Sequence, residues 1–196
     1  MQVLEIREAK FGNEHPYTLA SINGLGSIFM EQDRLSDAEK LQRQAMNTCE
    51  AKFGDDHPDT LTSMRNLAAT LSKQGYLQEA EKLLVKVTET LEARLGFNNP
   101  DTLNSMHNLA VIYLDQGRLS EAEELQARVV DGCKEMLGID HPDTLVAMEN
   151  LATTLFGQDR WLEAEKLDAE IMGTRKMKLA DDHPDTLESI HDLDFI

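Results

Sequence analysis

The chain has 196 residues, with 19 Lys+Arg against 36 Asp+Glu and a formal charge of −17. That balance argues against nucleic acid or an anionic membrane surface as a partner reached through general electrostatics. Hydrophobic residues make up 41%, which suits a packed globular protein, and no run approaches the roughly 18 apolar residues needed to span a bilayer.

In chain order, residues 1–12 are amphipathic and acidic, unlike a signal or transit peptide. They match the end of a helix that recurs later, since Phe11 lies 42 positions before Phe53. The prolines then set the frame: all five, at 16, 58, 100, 142 and 184, are 42 residues apart. They sit in His57-Pro58-Asp59-Thr60-Leu61, in its copies at 141–145 and 183–187, and in the degenerate copies at 15–19 and 99–103. A period of this length marks one supersecondary unit stacked on copies of itself.

From each proline a helix is predicted, because proline is tolerated in the first helical turn and pushes its predecessor toward extended geometry. Its apolar stripe is Ile22/Leu25/Gly26/Phe29 in the first repeat, Met64/Leu67/Ala68/Leu71 in the second, Leu103/Met106/Leu109/Ala110/Tyr113 in the third and Met148/Leu151/Ala152/Leu155 in the fourth. A break such as Gln116-Gly117-Arg118 follows. A longer second helix comes next, carrying Leu35/Ala38/Leu41, Leu77/Ala80/Leu83, then Leu119/Ala122/Leu125/Val129/Cys133/Leu137, then Trp161/Ala164/Leu167. Gly54, Gly96 and Gly138 stop it, as Gly12 stops the partial helix before the first repeat, while Ala180 stands in the last such place.

The expected organisation is therefore a single repeat array over 1–196. Residues 1–12 are a partial second helix, the repeats are 15–56, 57–98, 99–140 and 141–182, and 183–196 are a partial first helix. The register cuts both ends within a repeat, so the chain reads as a stretch of a longer array. Asp192 and Asp194 would alternatively make the last half-repeat a polar cap. The end faces (Val3, Leu4, Ile6; Leu187, Ile190, Leu193) offer a route to end-to-end self-association.

Much of the acidity is local. Asp59, Asp101, Asp143 and Asp185 lie in the first turn after proline, where the helix dipole favours a negative charge. Pairs such as Glu121/Glu123 recur at the start of the second helices. Cys49 and Cys133 share one slot, two repeats apart (133 − 49 = 84), too far for a disulfide. They are expected reduced and buried, which favours a cytoplasmic location. Of the six histidines, His15, His57, His141 and His183 fall one to a joint and are expected to be helix-entry residues, while His107 and His191 are two repeats apart. No metal site, cofactor site, phosphate loop or catalytic constellation is expected, and the chain reads as no enzyme. Trp161 takes a leucine slot and is expected to pack. Arg7 and Arg175 take the slot of Cys49, Leu91 and Cys133, where burial near the array ends should be looser.

The pattern Asn108-Leu109-Ala110, five residues, then Gln116-Gly117-Arg118-Leu119-x-Glu121-Ala122-Glu123 resembles the tetratricopeptide repeat. The 42-residue length, the Leu137–Leu145 joint and the long second helix resemble its kinesin light chain subtype. The resemblance covers essentially the whole chain. It implies an all-α fold, a right-handed superhelical solenoid of antiparallel helix pairs whose first helices line a concave groove. It also implies an adaptor or scaffold that binds a protein or peptide ligand. A structural spacer, a self-association element, or the sensor arm of a larger signalling ATPase are the other readings.

The groove residues the resemblance implies are the asparagines of Asn-Leu-Ala: Asn66, Asn108 and Asn150. An amide offers donors and an acceptor to an extended peptide backbone, but asparagine also braces neighbouring helices. Gly24 and Asp192 interrupt the series. The residue before the asparagine varies (Asn23, Arg65, His107, Glu149, His191), as does the one four before it (Ala20, Thr62, Asn104, Val146, Glu188). Near the helix end stand Glu31, Lys73 and Asp115. The expected peptide-binding set is Thr62, Arg65, Asn66, Lys73, Asn104, His107, Asn108 and Asn150, basic around Arg65 and Lys73 and acidic around Asp115, Glu149 and Glu188.

Overall fold

The computed structural model describes residues 2–178, with side chains from 4 to 177. Among these, nine α-helices run α1 (Gln2–Phe11), α2 (Pro16–Glu31), α3 (Leu35–Phe53), α4 (Pro58–Lys73), α5 (Leu77–Leu95), α6 (Pro100–Asp115), α7 (Leu119–Leu137), α8 (Pro142–Gly157) and α9 (Trp161–Lys178). No strand occurs among the described residues. The expected readings of residues 179–196, including Ala180, His183, Glu188, His191 and the second end face, lie outside them.

The joints show why the Pro-Asp-Thr-Leu stretch recurs. His15, His57, Asn99 and His141 are N-caps with extended backbone. Histidine Nδ1 accepts from the N–H of Tyr17, Asp59 or Asp143 at 3.2 Å, and Asn99 Oδ1 accepts from Asp101 N–H at 2.9 Å. One N–H that the helix leaves unpaired is thereby satisfied. The threonine of the joint reaches back: Thr60, Thr102 and Thr144 donate to the carbonyls of Gly54, Gly96 and Gly138 at 2.8, 3.0 and 2.8 Å. Those glycines have φ of +88, +84 and +93°, which a side chain would resist. These three joints thus end one helix and start the next with the same few atoms, whereas Thr18 at the first joint makes no such bond. Phe53 stacks on His57 at 4.6 Å and Phe11 on His15 at 4.7 Å.

The chain forms two compact units, Met1–Thr90 and Leu91–Ile196. In the first, α2 packs on α1, α3 and α4, and α3 packs on α4. Leu19, Ile22, Ala45 and Cys49 form one core cluster, with Leu4, Leu41 and Phe53 against it. Asn23 Nδ2 ties α2 to α4 by donating to Ser63 Oγ at 2.9 Å. In the second unit, α6, α7, α8 and α9 pack in sequence around Leu103, Met106, Val129, Val130, Met148 and Ile171. The small slot on the first helices is buried throughout, at Gly26, Ala68, Ala110 and Ala152.

Much of the charge is spent between second helices and the joints and turns that flank them. Arg43 Nη1 lies 2.8 Å from Glu79 and Lys86 Nζ 2.6 Å from Asp55 in the first unit. Arg160 Nη1 lies 2.6 Å from Glu123 and Lys134 Nζ 3.5 Å from Glu170 in the second. Arg43 holds the Glu79 carboxyl below its usual range, chiefly by hydrogen bonding. Exposed pairs of this kind are worth little one by one, but they account for acid that would otherwise suggest a basic partner.

Two slot expectations change. Trp161 stays 43% exposed and meets Phe156 edge-on at 4.4 Å, so it covers a helix corner and leaves the core to its neighbours. Arg175, expected in loose surroundings, is only 8% exposed, with Nη2 2.6 Å from Glu149 Oε1. The guanidinium is buried because a carboxylate of α8 is there to meet it. Arg7, half-buried, donates to Tyr17 O at 2.9 Å and to Ser21 Oγ. Cys49 and Cys133 are buried and free, and burial pushes both thiols up.

Candidate protein-binding face

Thr62, Arg65, Asn66 and Lys73 all lie on α4 in the first unit. Their spacing, at i, i+3, i+4 and i+11, lines them along one side of the helix. Thr62 and Lys73 are exposed, whereas Arg65 and Asn66 are half-buried. The core stripe Leu61, Met64, Leu67, Ala68 and Leu71 is buried, so packing uses the opposite side of α4.

In the second unit, Asn104, His107 and Asn108 lie on α6 and Asn150 on α8. Asn108 Nδ2 donates to Asn104 Oδ1 at 3.1 Å, an i,i+4 bond along one helix, so Asn108 braces Asn104. The Asn66 and Asn150 amides have no hydrogen-bond partner among the described residues. Glu149, grouped with the groove acids by its slot, is committed to Arg175.

Asn104, His107 and Asn150 converge on one cavity of ≈ 470 Å³ between α6, α7 and α8. Leu103, Val129 and Cys133 supply its apolar wall, Met136 and Val146 line it and are exposed, and Asp143 is its one acidic lining residue. Burial pushes the His107 imidazole below its ordinary pKa, so near neutral pH the ring is uncharged. Its volume falls within the range of ligand-sized clefts, and the mix of apolar wall and few polar groups is the composition such sites have. Repeat counting did not single out the apolar wall, because Leu103, Val129 and Cys133 sit in core slots. Met136 and Val146 are exposed apolar residues, and that exposure is visible only in three dimensions.

Among the described residues no group of three or more His, Cys, Asp or Glu could hold a metal ion. No helix of theirs is long and apolar enough to cross a membrane. His15, His57 and His141 serve as helix caps through Nδ1.

Comparison with known proteins follows this architecture. Family profiles described as tetratricopeptide repeat match residues 18–93 and, separately, 102–143 and 144–185. A solved structure described as a kinesin light chain of Podosopora anserina with nearly identical TPR-like repeats is 29% identical, with a TM-score of 0.86 over 91% of this chain and 85% of that one. A single-substitution variant of it superposes with a TM-score of 0.85, again at 29% identity, over 91% of this chain and 84% of that one. BtubC (BKLC) from P. vanneervenii shares the fold at 13% identity, with a TM-score of 0.80 over 98% of this chain and 76% of that one. No curated protein sequence matches significantly. The fold class is the expected all-α one, with helix pairs in tandem as in tetratricopeptide repeat solenoids. Tetratricopeptide repeats generally mediate protein–protein interactions, and this fold is typically a non-enzymatic scaffold. The profiles and the repeated helix pair agree that the chain belongs to the tetratricopeptide repeat family, and its structural neighbours include kinesin light chain-like repeats.

Proposed function

We propose that the chain is a non-enzymatic interaction module whose repeats, 15–56, 57–98, 99–140 and 141–182, act as one array. The first helices would hold a peptide or protein segment in the concave groove that the family resemblance implies. The observation that carries this is the pair of half-buried, unpartnered amides, Asn66 and Asn150. Buried or half-buried polar groups are normally paired, and an amide left open on a first helix suits a backbone strand that brings both donors and acceptors. Around them stand side chains that packing does not consume: Thr62 and Lys73 on α4, Asn104 on α6 and Val146 on α8. Asn108 takes part at second hand, by setting Asn104. A cytoplasmic location, with no cofactor, belongs to the same reading.

Photo-crosslinking tests the face directly. A benzophenone side chain placed at Thr62 or Val146, each exposed on a first helix, should capture a protein from lysate of the source organism. The same group at Lys40 or Lys166, exposed on second helices, should not capture it. Capture from Lys40 and Lys166 alone would move the site to the second helices. Ile6, 59% exposed on α1, supports self-association as the second reading. Concentration-dependent mass in solution, lost on Ile6→Glu, would favour it.

A further inference from the structure

Gly132 departs from its repeat. The same slot holds Thr48, Thr90 and Thr174 in the other second helices. Each of those hydroxyls donates to the carbonyl four residues earlier, at 2.8, 2.8 and 2.9 Å. On α7 the slot has no side chain, and Leu103 occupies the space. A Cβ built on Gly132 would lie 2.7 Å from Leu103 Cδ2 and 2.9 Å from Cδ1, closer than packed carbons tolerate. Leu103 therefore lies against bare α7 backbone, deeper than a threonine would allow, and it forms one wall of the ≈ 470 Å³ cavity. The missing side chain and the recessed leucine together hollow out this site.

The charge at the cavity is one-sided. Asp143 is a lining residue. His141 Nδ1 lies 3.7 Å from its carboxylate, but that nitrogen already serves as the helix cap, accepting from the Asp143 N–H at 3.2 Å. Three cations of the neighbouring helices are engaged elsewhere, Arg175 with Glu149, Lys134 with Glu170 and Arg128 with Glu92, and no lysine or arginine lines the cavity. An occupant therefore meets an apolar wall, the open amide of Asn150, the Asn104 amide whose oxygen Asn108 already holds, and one carboxylate that no lining cation offsets.

Resting on the binding face described above, we propose that this cavity is its anchor pocket and takes one large apolar side chain of a partner peptide flanked by lysine or arginine. The apolar side chain would lie on Leu103, Val129 and Cys133. The peptide backbone would meet the Asn104 and Asn150 amides, and the cationic neighbour would face Asp143. Burying an apolar anchor supplies most of the affinity in such sites, and the charge selects among anchors.

The probe is a synthetic peptide, Gly-Ser-Lys-Leu-Lys-Ser-Gly, titrated to millimolar concentration and read by methyl NMR on the whole chain. Saturable shifts at the Leu103, Val129, Met136 and Val146 methyls are expected. Binding should weaken at least fivefold when the peptide lysines become glutamate, and should vanish when its leucine becomes serine. Gly132→Thr restores the residue of the other repeats, drives Leu103 toward the cavity and should abolish the shifts. Should that variant fold poorly, Val146→Lys decides, since Val146 is exposed and its packing is dispensable; a fivefold loss is expected. Absence of saturable shifts in the unmodified chain, equal binding of the lysine and glutamate peptides, or binding unchanged in both variants would overturn the proposal. Methyl shifts that appear with protein concentration alone would assign the pocket to a second copy and overturn it too. If the pocket fails while crosslinking from Thr62 and Val146 still captures a partner, the binding face stands without this anchor.

Discussion

Gln42 and Thr70 give the sharpest test of how the first unit is held. Gln42 is fully buried on α3, and its Oε1 accepts from Thr70 Oγ1 of α4 at 2.6 Å. Its Nε2 has no partner among the described residues. Gly26 of α2 makes room for it, since a Cβ there would lie 2.7 Å from Gln42 Cγ. The next repeat has Leu84 and Ile112 in the two slots, so the scaffold also accepts an apolar choice. Thr70→Val leaves both ends of a buried amide unsatisfied and should destabilise by about 1–3 kcal/mol. Gln42→Leu removes the orphaned Nε2. Thr70 can then turn to the Asn66 carbonyl, as Thr154 does to Asn150 O at 3.1 Å, so this change should be neutral or stabilising by up to about 1 kcal/mol. A coupling of about 1–2 kcal/mol is expected from the double-mutant cycle. Urea unfolding followed by circular dichroism measures it, with transition slopes compared because a repeat array can unfold in parts. A neutral Thr70→Val together with a Gln42→Leu loss above about 2 kcal/mol would refute the reasoning.

Three further outcomes follow from the joints and the second unit. His57→Ala removes the cap on the Asp59 N–H and should cost about 0.5–2 kcal/mol in thermal unfolding. His57→Asn should restore most of this, because Asn99 caps α6 in the same way at 2.9 Å. His107 is held below its ordinary pKa by burial, so the fold favours the neutral ring. Stability is fully present above the ordinary histidine value of about 6.5 and falls as the pH drops below it toward the folded value. The difference in melting temperature between the unmodified chain and His107→Gln should therefore change between pH 7.5 and 5.5, at the expense of the unmodified chain. Arg175→Ala removes the guanidinium 2.6 Å from Glu149 and should cost about 1–3 kcal/mol, less than for a fully buried pair because the carboxylate is partly solvated. Arg175→Leu with Glu149→Gln should recover most of it, which chemical denaturation would show.

Sequence alone made the helix pairs legible, because proline, the capping histidine or asparagine, the joint threonine and the cap glycine each act within a few residues of themselves. What it left unread depends on neighbours brought from elsewhere. Trp161 looked like a core residue by its slot, yet it sits at a corner against Phe156. Arg175 looked loosely held, yet Glu149 from α8 meets it, and the same contact withdraws Glu149 from the acidic part of the expected groove. The asparagine series could have been a ladder or a brace. Asn108 braces Asn104, whereas Asn66 and Asn150 are open. The cavity had one signal in the sequence, Gly132 among three threonines, and its consequence became visible only with Leu103 in place.

The most direct test of the binding face is affinity for the captured partner after Asn66→Ala, Asn108→Ala and Asn150→Ala are combined, with helicity and melting temperature matched to the unmodified chain. Loss of two open amides and one supporting bond, each worth about 0.5–1.5 kcal/mol, predicts binding at least tenfold weaker. Affinity unchanged within twofold, with the fold intact, would contradict the account and place the partner on the second helices or the ends.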